Sequence, residues 1–501
     1  MAWGLVELDI PPGVYRAGTR RQSKGRWDDQ LFIRWSEGVM APEGGWAART
    51  TSAITGMGRC ALVFVSNALE RWITVACQSK LYACTSSETS MHDITPVGLV
   101  AGAADATAAG GYGSGPYGAG LYGTPRISLT GAIQDATIPS LDTFGQDLVA
   151  NWPQDGKIYY WQRNTAVVAA TLTNAPTGCC GVLVTPEKHV VALGAGGDAR
   201  TIAWSDQEAA TVWTPASTNQ AGDIALATQG RIMCGRRLRD ITLVWTDLDV
   251  HGMSYLGQPY IFSVARLGEN CGIISRGAVA VSDTRAMWMS LNGFYMYDGY
   301  VQPVVCDVYD QIFGDINMTQ RSKFTAHHRG RFNEVHFLYV SSQSTEIDRR
   351  AVFNYKEAHW RVHDISGMDA TRLCGVDSSL MDNPILVGSD GILYDHETGF
   401  AYDGLTPYAT AVGFSLGAGD HITRVRRVIP DGRTQGEVQL TFYARSAPEG
   451  ATTTFGPYQE EDFMPVRFSG REIDMKVEFT TVSANSRWGI PRLEVIQGGK
   501  R

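Results

Sequence analysis

The chain is poor in charged residues and has very few lysines. Only 19% of its 501 residues are Asp, Glu, Lys or Arg, and eight of the 43 basic residues are lysine. The 51 acidic residues leave a formal net charge of −8. General nucleic-acid binding requires clustered positive charge, so the composition argues against that class of protein. An acidic surface can instead act near DNA by repelling it.

Long apolar runs and paired-cysteine motifs are also missing. No stretch of about 18 apolar residues occurs, so we predict no membrane-spanning helix. The opening MAWGLVELDIPPG lacks the basic and apolar regions of a secretory signal. The nine cysteines include no C-x-x-C, and the adjacent Cys179 and Cys180 are poor zinc ligands. We therefore expect reduced, mostly buried thiols in a protein made in a cytoplasm.

The side chains that could carry catalysis or bind a metal form no recognisable constellation. His327 and His328 are adjacent, so on a strand their side chains diverge, and no H-E-x-x-H occurs. His359 and His363 lie on a predicted strand, where we expect a solvated or partly packed role. The acidic run 460–462 is typical of a solvated turn. We therefore predict no enzyme activity, no metal site and no cofactor.

Glycine, by contrast, is abundant, and its 55 residues suit many short strands and tight turns. Short apolar segments that end in an aromatic residue and a polar turn recur through residues 56–402. One marker from each repeat gives the series Tyr82, Tyr160, Trp204, Trp245, Tyr297, Tyr355 and Tyr394. The gaps are 78, 44, 41, 52, 58 and 39 residues, mostly near the length of about 40–50 residues for a propeller blade. The sequence thus predicts an all-β fold centred on a β-propeller of six to eight blades, in which the longest gap holds an insertion or a weak blade.

The two ends of the chain differ from this central repeat. Residues 1–55 are rich in turns, and Pro11 and Pro12 resist helix, so we predict an extended N-terminal arm. Within residues 403–501, apolar and polar residues alternate in EVQLTFYAR and in REIDMKVEF. Alternation of period two buries one face of a strand and exposes the other. We therefore predict a C-terminal antiparallel β-sandwich-like platform domain over 403–501.

Helical spacing and one polar turn are the remaining local signals. Val308, Ile312 and Ile316 are four residues apart, which places them on one face of a helix. Thr319 can then cap a second short helical turn. The segment WSDQEAATVW faintly resembles the Asp-box turn of sialidase-like propellers but lacks its glycine, and we interpret it as structural.

A glycine–tyrosine insertion interrupts the propeller pattern at residues 98–126. In GYGSGPYGAGLYGTPR, Tyr112, Tyr117 and Tyr122 recur every fifth residue, each before a glycine. G-x-G-x-x-G matches twice, but the strand-to-helix context of nucleotide binding is missing and Pro116 lies inside one match. The segment buries too little to order itself, while its tyrosines offer flat amphipathic surfaces. Three interpretations stay open: a gate in a channel, a clasp on a neighbouring subunit or ring, or a loop without a role.

Arginine and tryptophan are concentrated in the N-terminal arm. Both residue types are enriched in the cores of protein interfaces, so one interpretation is contact with another subunit. Strand-edge charge that discourages sheet-to-sheet pairing is an equal alternative, and we favour it for the later basic clusters around Arg236 and Arg426. The candidate interface residues of the arm are Arg20, Arg21, Arg26, Trp27, Trp35 and Trp46.

Several long stretches resemble one family of virion proteins. They are IPPGVYRAGTRRQSKGRWDDQLFIRWSEGVMAPEGGW, GENCGIISRGAVAV, LNGFYMYDGYVQPVVCDVYDQIFGDIN, and the ending SGREIDMKVEF with RWGIPRLEVIQGG. In patches that together span most of the chain, the sequence is similar to the tail nozzle or tail hub proteins of short-tailed bacteriophages. These are also called packaged-DNA stabilisation proteins.

The resemblance implies a mechanical function in a virion tail that is assembled in the bacterial cytoplasm. It implies a homohexameric tube below the portal and adaptor rings, which retains packaged DNA and passes it during ejection. Tail fibre, needle or tip proteins are further expected partners. Double-stranded DNA would cross the lumen without specific binding, and no stable membrane insertion is expected. A net charge of −8 suits a wall to which DNA does not adhere.

Two other functions remain as alternatives. The first is a receptor-binding or glycan-degrading phage tail protein, although β-helix repeats and paired acids in blade turns are not evident. The second is a cellular β-propeller that scaffolds other proteins.

Overall fold

The first 50 residues contribute strands to two different parts of the molecule. The computed structural model describes residues 3–19, 22–107, 134–414, 421–433, 437–446 and 450–499. Strands β1 (Gly4–Glu7) and β2 (Arg26–Leu31) pair with C-terminal strands, and β3 (Ile33–Ser36) and β4 (Val39–Pro42) form a hairpin. Strand β5 (Trp46–Ala48) joins the propeller. The predicted arm is therefore extended, and it is shared between the two units.

Between residues 46 and 396, the described part of the chain forms seven four-stranded antiparallel sheets, the blades of a propeller. Blade 1 contains β6 (Gly58–Val65), β7 (Arg71–Cys77), β8 (Leu81–Thr85) and β9 (His92–Asp93). Blade 2 contains β10 (Ser140–Phe144), β11 (Asp147–Asn151), β12 (Ile158–Trp161) and β13 (Ala170–Thr171). Blade 3 contains β14 (Gly181–Val184), β15 (Val190–Leu193), β16 (Thr201–Trp204) and β17 (Gly222–Ala225). Blade 4 contains β18 (Ile232–Arg237), β19 (Thr242–Thr246), β20 (Val250–Tyr255) and β21 (Phe262–Gly268). Blade 5 contains β22 (Val279–Val281), β23 (Ala286–Ser290), β24 (Gly293–Tyr297) and β25 (Val301–Val304). Blade 6 contains β26 (Thr325–Arg329), β27 (Glu334–Tyr339), β28 (Arg349–Asn354) and β29 (His359–Asp364). Blade 7 contains β30 (Arg372–Val376), β31 (Ile385–Gly388) and β32 (Leu393–His396).

The ring of blades is closed by the arm. Strand β5 is the fourth strand of blade 7, with Trp46 opposite His396 and Ala48 opposite Tyr394. Blade 7 also packs on blade 1, where Val387 and Ile385 share a buried cluster with Val75. Because one blade is built from both ends of the propeller segment, the first and last blades are held together by backbone hydrogen bonds as well as by apolar packing.

The prediction of a β-propeller is confirmed, and its aromatic markers fall one to a blade. Most markers lie on the third strand of their blade, as Tyr82 and Tyr394 do, whereas Trp245 lies on the second strand of blade 4. The inner strands are apolar on both faces, for example GVLV in β14, because each blade is covered on both sides by its neighbours. The longest marker gap, between Tyr82 and Tyr160, contains the glycine–tyrosine insertion.

The remaining strands build a two-sheet platform after the propeller. They are β33 (Tyr408–Phe414), β34 (Thr423–Ile429), β35 (Val438–Arg445), β36 (Thr453–Gln459), β37 (Met464–Gly470), β38 (Glu472–Phe479) and β39 (Arg492–Gln497). One sheet has the order β1-β39-β34-β37 and the other β2-β33-β38-β35-β36. Phe442 of the second sheet stacks on Phe468 of the first at 4.8 Å between ring centroids. The β-sandwich prediction is confirmed, since the alternating apolar residues of β35 and β38 fill this core.

Helices are short in the described residues. The α-helix α1 (Tyr309–Asp315) lies where the spacing predicts one, and it contains Ile312, whereas Val308 and Ile316 are its two flanking residues; all three are buried. The 3₁₀ segments are Ala195–Gly197, Met318–Lys323 and Gly330–Phe332. The segment at 318–323 is capped by Asn317, whose side chain accepts from the backbone N–H groups of Thr319 and Gln320. Thr319 is thus not the cap, because the amide oxygen two residues earlier already satisfies those donors. Across the described ranges, no helix is long and apolar enough to cross a membrane.

The platform buries one member of the acidic run that the sequence assigns to a solvated turn. Glu460 is only 3% exposed, and one of its carboxylate oxygens has no hydrogen-bond partner. Burial and the nearby Glu437 raise the pKa of Glu460 to about 7. The turn interpretation holds for its neighbours Glu461 and Asp462, which are exposed.

We expect the Glu460→Gln substitution to stabilise the protein at pH 8 by about 1–2 kcal/mol. The folded-state pKa lies above the unfolded one, so the native chain loses stability as the pH rises from about 4.5 to 7. Glutamine removes that loss, and the variant's melting temperature should exceed the parent's at pH 8 but not at pH 4.5. The exposed Glu461→Gln is the matched control and should show no gain. Equal melting temperatures for parent and Glu460→Gln at pH 8 would contradict the burial of this carboxyl.

Candidate functional site at the axial end of the propeller

The glycine–tyrosine insertion lies in the chain between blades 1 and 2. Thr107, in its first part, and Gln134, eight residues after its end, form an antiparallel bridge with backbone hydrogen bonds of 3.0 and 2.9 Å. The described residues on the two sides of the glycine–tyrosine stretch therefore lie side by side. The predicted gate or clasp residues Tyr112, Pro116, Tyr117 and Tyr122 lie outside the described residues, and their role stays a prediction.

Both ends of the insertion are fastened to blade 6 rather than only to their own blades. The amide side chain of Gln320 accepts a hydrogen bond from the Ala106 N–H at 3.0 Å and donates one to its carbonyl at 2.8 Å. On the returning side, the Ala136 N–H donates to Ser322 Oγ at 3.0 Å. Blade 6 thus fixes the base of the insertion through side chains of the 3₁₀ segment at 318–323.

A cluster of buried charges supports the same base. Lys323 has a fully buried side chain, and its Nζ lies 2.5 Å from Asp105 Oδ1 and 3.3 Å from Glu346 Oε2. Arg59 donates two hydrogen bonds of 2.7 Å to Glu346 and one of 3.0 Å to the Ala104 carbonyl. Burial alone would raise the pKa of Glu346, but Arg59 and Lys323 hold that pKa below its ordinary value. The insertion base, blade 1 and blade 6 are therefore joined by one ionic cluster.

We expect Lys323→Met to reduce the free energy of unfolding by about 2 kcal/mol, because the buried ammonium holds Glu346 and Asp105 together. Asp105→Asn is the matched comparison and should cost less than half as much, since the Asp105 side chain is 59% exposed and remains hydrated. Thermal unfolding of both variants measures this difference. Equal losses for the two would show that the ionic cluster does not depend on the lysine.

Beside this base lies an axial cavity of about 340 Å³, lined by the inner strands of all seven blades. Ile138 and Pro139, from the returning side of the insertion, line it at the end where the inner strands begin. Arg59 lies at the same end with a fully buried side chain. Residues on the returning side of the insertion therefore line one end of the axial cavity.

The three candidate tryptophans of the arm pack inside this chain. Trp27 and Trp35 are buried with ring centroids 5.7 Å apart, and Trp35 meets the His359 ring edge-on at 6.3 Å. Trp46 stacks on His396 of blade 7 at 5.5 Å. Their aromatic surface is therefore used within the chain, between arm, platform and propeller.

Of the arm's candidate arginines, Arg26 is half-buried, whereas Arg20 and Arg21 lie outside the described residues. Arg26 is 3.6 Å from Asp307 and its guanidinium lies 5.2 Å from the centre of the Tyr15 ring. Contact of the arm with another subunit stays a prediction, and it would not use Trp27, Trp35 or Trp46, which are buried.

A network of buried arginines and glutamates joins the arm hairpin to blades 6 and 7. Arg34 contacts Glu334 at 3.0 Å and Glu397 at 2.7 Å, while Arg361 contacts Glu43 at 2.6 Å and also bonds Glu334. The remaining arginines are Arg350, 2.6 Å from Glu43, and Arg329, 2.6 Å from Glu397. Sequence reasoning misses this network, because charged residues are rarely buried and no single segment contains more than a few of its members.

The network holds its carboxylates ionised in the protein interior. Burial alone would raise the pKa of Glu43, but Arg350 and Arg361 hold that pKa well below its ordinary range. Glu334 behaves in the same way beside Arg34 and Arg361. Each carboxylate is thus stabilised by at least two guanidinium groups, which is the arrangement that makes a buried charge tolerable.

The histidines singled out in the sequence are packed, not solvated. His359 and His363 lie on β29 and are 3% and 0% exposed, because the arm covers that strand. His327 and His328 diverge on β26 as predicted, the first against His336 and the second against Tyr355. Among the residues that the structure describes, no group of three or more His, Cys, Asp and Glu side chains is placed to hold a metal ion.

The remaining sequence motifs have structural roles. Asp206 of WSDQEAATVW accepts hydrogen bonds from the backbone N–H groups of Gln207 and Gln220, at 2.9 and 2.8 Å, and so closes a turn. All nine cysteines are described and free, six of them buried.

Comparison with known proteins identifies no family. No known family model matches the chain, and no curated protein matches it. Similar solved structures include "YCF48 bound to D1 peptide", 9% identical over 70% of this chain and 95% of that one with a TM-score of 0.40. "Streptogramin B lyase structure" is 8% identical over 69% of this chain and 95% of that one, with a TM-score of 0.41. "Crystal Structure of Mitotic Checkpoint Complex" is 10% identical over 72% of this chain and 93% of that one, with a TM-score of 0.41. At this level of similarity they carry no argument about activity, substrate or partners.

Proposed function

We propose that this protein is a structural subunit of a larger assembly and acts through its shape rather than through catalysis. The observation that carries the proposal is the buried charge network, which joins the arm to blades 6 and 7 of the propeller. Removing the charge of one carboxylate leaves two buried guanidinium groups under-compensated, which costs about 3–5 kcal/mol. Such a joint suits a protein that holds other chains at a fixed distance and angle. A β-propeller scaffold is the general class to which this description belongs.

Within that class, we propose the tail nozzle of a short-tailed phage. The proposal is supported by the positions of the stretches that resemble nozzle proteins, because several of them meet at the junction of propeller and platform. Met40 and Trp488 exchange backbone hydrogen bonds of 2.9 and 2.8 Å, and the Arg16 N–H donates to the Asp307 carbonyl at 2.8 Å. The resemblance therefore concerns the segments that set the orientation of the two units, which is the property a ring subunit must preserve.

In this proposal the DNA path lies between copies of the chain. The axial cavity has the volume of a sphere roughly 9 Å across. The major groove of DNA alone is about 12 Å wide, so the cavity is too narrow to admit a duplex. A six-fold ring requires contacts between two different surfaces of each subunit, closed by rotation. The acidic surface then faces DNA that has to slide.

The experiment is native mass spectrometry and negative-stain imaging of the purified chain, alone and with a portal–adaptor complex. The nozzle proposal expects six copies of the 54.6 kDa chain in a ring with an open centre on that complex. A stable monomer that binds other protein chains and ignores portal–adaptor rings would reject the nozzle and retain the scaffold. A trimer that binds or cleaves polysaccharide would reject both in favour of a receptor-binding tail protein.

A further inference from the structure

Among the residues that the structure describes, the axial cavity contains one cation without a counter-charge, Arg236. Three arginines line the cavity, and two of them are paired: Arg59 with Glu346 at 2.7 Å, and Arg237 with Asp142 at 3.8 Å. Arg236 makes only a 2.9 Å hydrogen bond from its Nη1 to the carbonyl of Gly235. Within the described part of the chain, no carboxylate pairs with Arg236. Its remaining N–H groups are therefore free to bind an acceptor.

A second polar group on the same lining also lacks a partner. His327 is 4% exposed, and neither of its ring nitrogens has a hydrogen-bond partner. The ring lies against the blade 7 strand, where a Cβ added to Gly375 would come within 3.4 Å of Nδ1. Burial, together with Arg329 and Arg350, lowers the pKa of His327 well below its ordinary value, so the neutral ring has one N–H to donate. A buried donor left unpaired costs about 1–3 kcal/mol, and such groups in native proteins usually have a partner.

We propose that the axial cavity binds a small oxyanion, a carboxylate or a phosphate group, through Arg236 and His327. A guanidinium presents parallel N–H donors that match two oxygens of such a group, and the imidazole N–H supplies a third bond. The volume of about 340 Å³ admits a small molecule or an inserted acidic side chain and excludes a folded domain. The end of the axis away from the insertion base is the entrance, where Arg237 is 44% exposed.

Two further ionisable residues on the cavity lining bear on how strongly an anion would bind. Asp377 lies on the same lining and opposes an anion, and burial raises its pKa. His328 is engaged with the Tyr355 hydroxyl at 3.0 Å and adds no free donor. Removal of the Asp377 charge should therefore strengthen binding, whereas removal of the Arg236 charge should weaken it. Both effects follow from the sign of the charge, so a neighbouring arginine that already has a carboxylate partner supplies the control for nonspecific attraction.

The test is calorimetric titration of the full chain at pH 7 and constant ionic strength, with inorganic phosphate and with succinate as probes. We expect saturable binding of one equivalent of at least one probe. Arg236→Gln should weaken it about ten- to a hundredfold, and Asp377→Asn should tighten it at least threefold. Arg237→Gln is the matched control, an adjacent arginine already paired with Asp142, and should change the affinity less than threefold.

Each result decides a specific point. Binding of phosphate alone assigns a phosphoryl ligand, and binding of succinate alone assigns a carboxylate. Failure of both probes to bind the parent chain overturns the proposal, as does an equal loss in Arg236→Gln and Arg237→Gln. The melting temperature of each variant without probe verifies that it is folded, and Arg236→Lys, which keeps the charge, should retain part of the affinity if Arg236→Gln is unstable.

Discussion

We expect Glu334→Gln to lower the free energy of unfolding by about 3–5 kcal/mol, far more than the loss of an exposed ion pair would. Glu334 is completely buried and accepts hydrogen bonds from Arg34 at 3.0 Å and from Arg361. It also lies 3.0 Å from His336 Nε2. Glutamine has nearly the same shape but no charge, so Arg361 keeps only Glu43 and Arg34 keeps only Glu397. The loss is thus the cost of two under-compensated guanidinium groups in the interior.

The measurement is guanidinium-induced unfolding followed by tryptophan fluorescence, because Trp35 and Trp46 pack beside the network. Glu208→Gln is the matched control, since its 2.7 Å bridge to Lys188 is exposed on both sides and should contribute little. A shift in midpoint for Glu334→Gln no larger than that of Glu208→Gln would mean that the network is not what joins arm and propeller. An intermediate in which the arm tryptophans are exposed before the blades unfold would directly support the conclusion that the network joins arm and propeller.

The second large effect is loss of stability in mild acid. The histidines packed around the network have their pKa lowered, first by burial and then by neighbouring arginines, to about 4 in the case of His359. They are His327, His336, His359, His363 and His396. The folded chain keeps them neutral, whereas the unfolded chain protonates them near pH 6.5. Stability is therefore fully present above about pH 6.5 and declines as the pH falls towards the folded-state values.

Between pH 7 and pH 5.5 this linkage should cost about 3–6 kcal/mol, with an uptake of about three to five protons on unfolding. The pKa of Glu460, raised to about 7, opposes this trend, and for that reason the expected cost lies below the sum for five histidines. The slope of unfolding free energy against pH gives the proton uptake directly. His327→Gln should reduce the uptake by about one proton. A slope near zero over this interval would show that the histidines are accessible to protons in the folded state.

The sequence predicts the parts of this fold whose rules are local. Blades are recognisable because an aromatic residue such as Tyr82 or Tyr394 recurs at blade spacing, and the platform because Leu440 and Phe442 alternate with polar residues. The exchange of arm strands into both units is not predictable in this way, because Trp46 pairs with His396, 350 residues later, and no local pattern records that partner. The network is invisible for the same reason: Glu43 and Arg361 look like surface residues until the fold places them together.

The candidate site is likewise predictable from the sequence only where its features are local. Composition alone distinguishes the glycine–tyrosine insertion, but its anchoring by Gln320 and Lys323 depends on a loop that precedes blade 6. Arg236 is recognisable in the sequence as part of a basic cluster, which favours strand-edge charge. Its place on the axis, and its lack of a carboxylate partner within the described ranges, become evident only when seven inner strands are assembled.

The closing strand β5 has a consequence for the order in which the protein forms on the ribosome. The first 50 residues emerge first, yet β5 completes a blade whose other strands begin at Arg372. At about 5–20 residues per second, some 350 further residues take roughly 20–70 s to synthesise. Strand β5, with Trp46, therefore remains without its partner strand through most of translation. The nascent chain therefore exposes this apolar segment to aggregation until Leu393–His396 has been made, and the blade that closes the ring is the last of the seven to be completed.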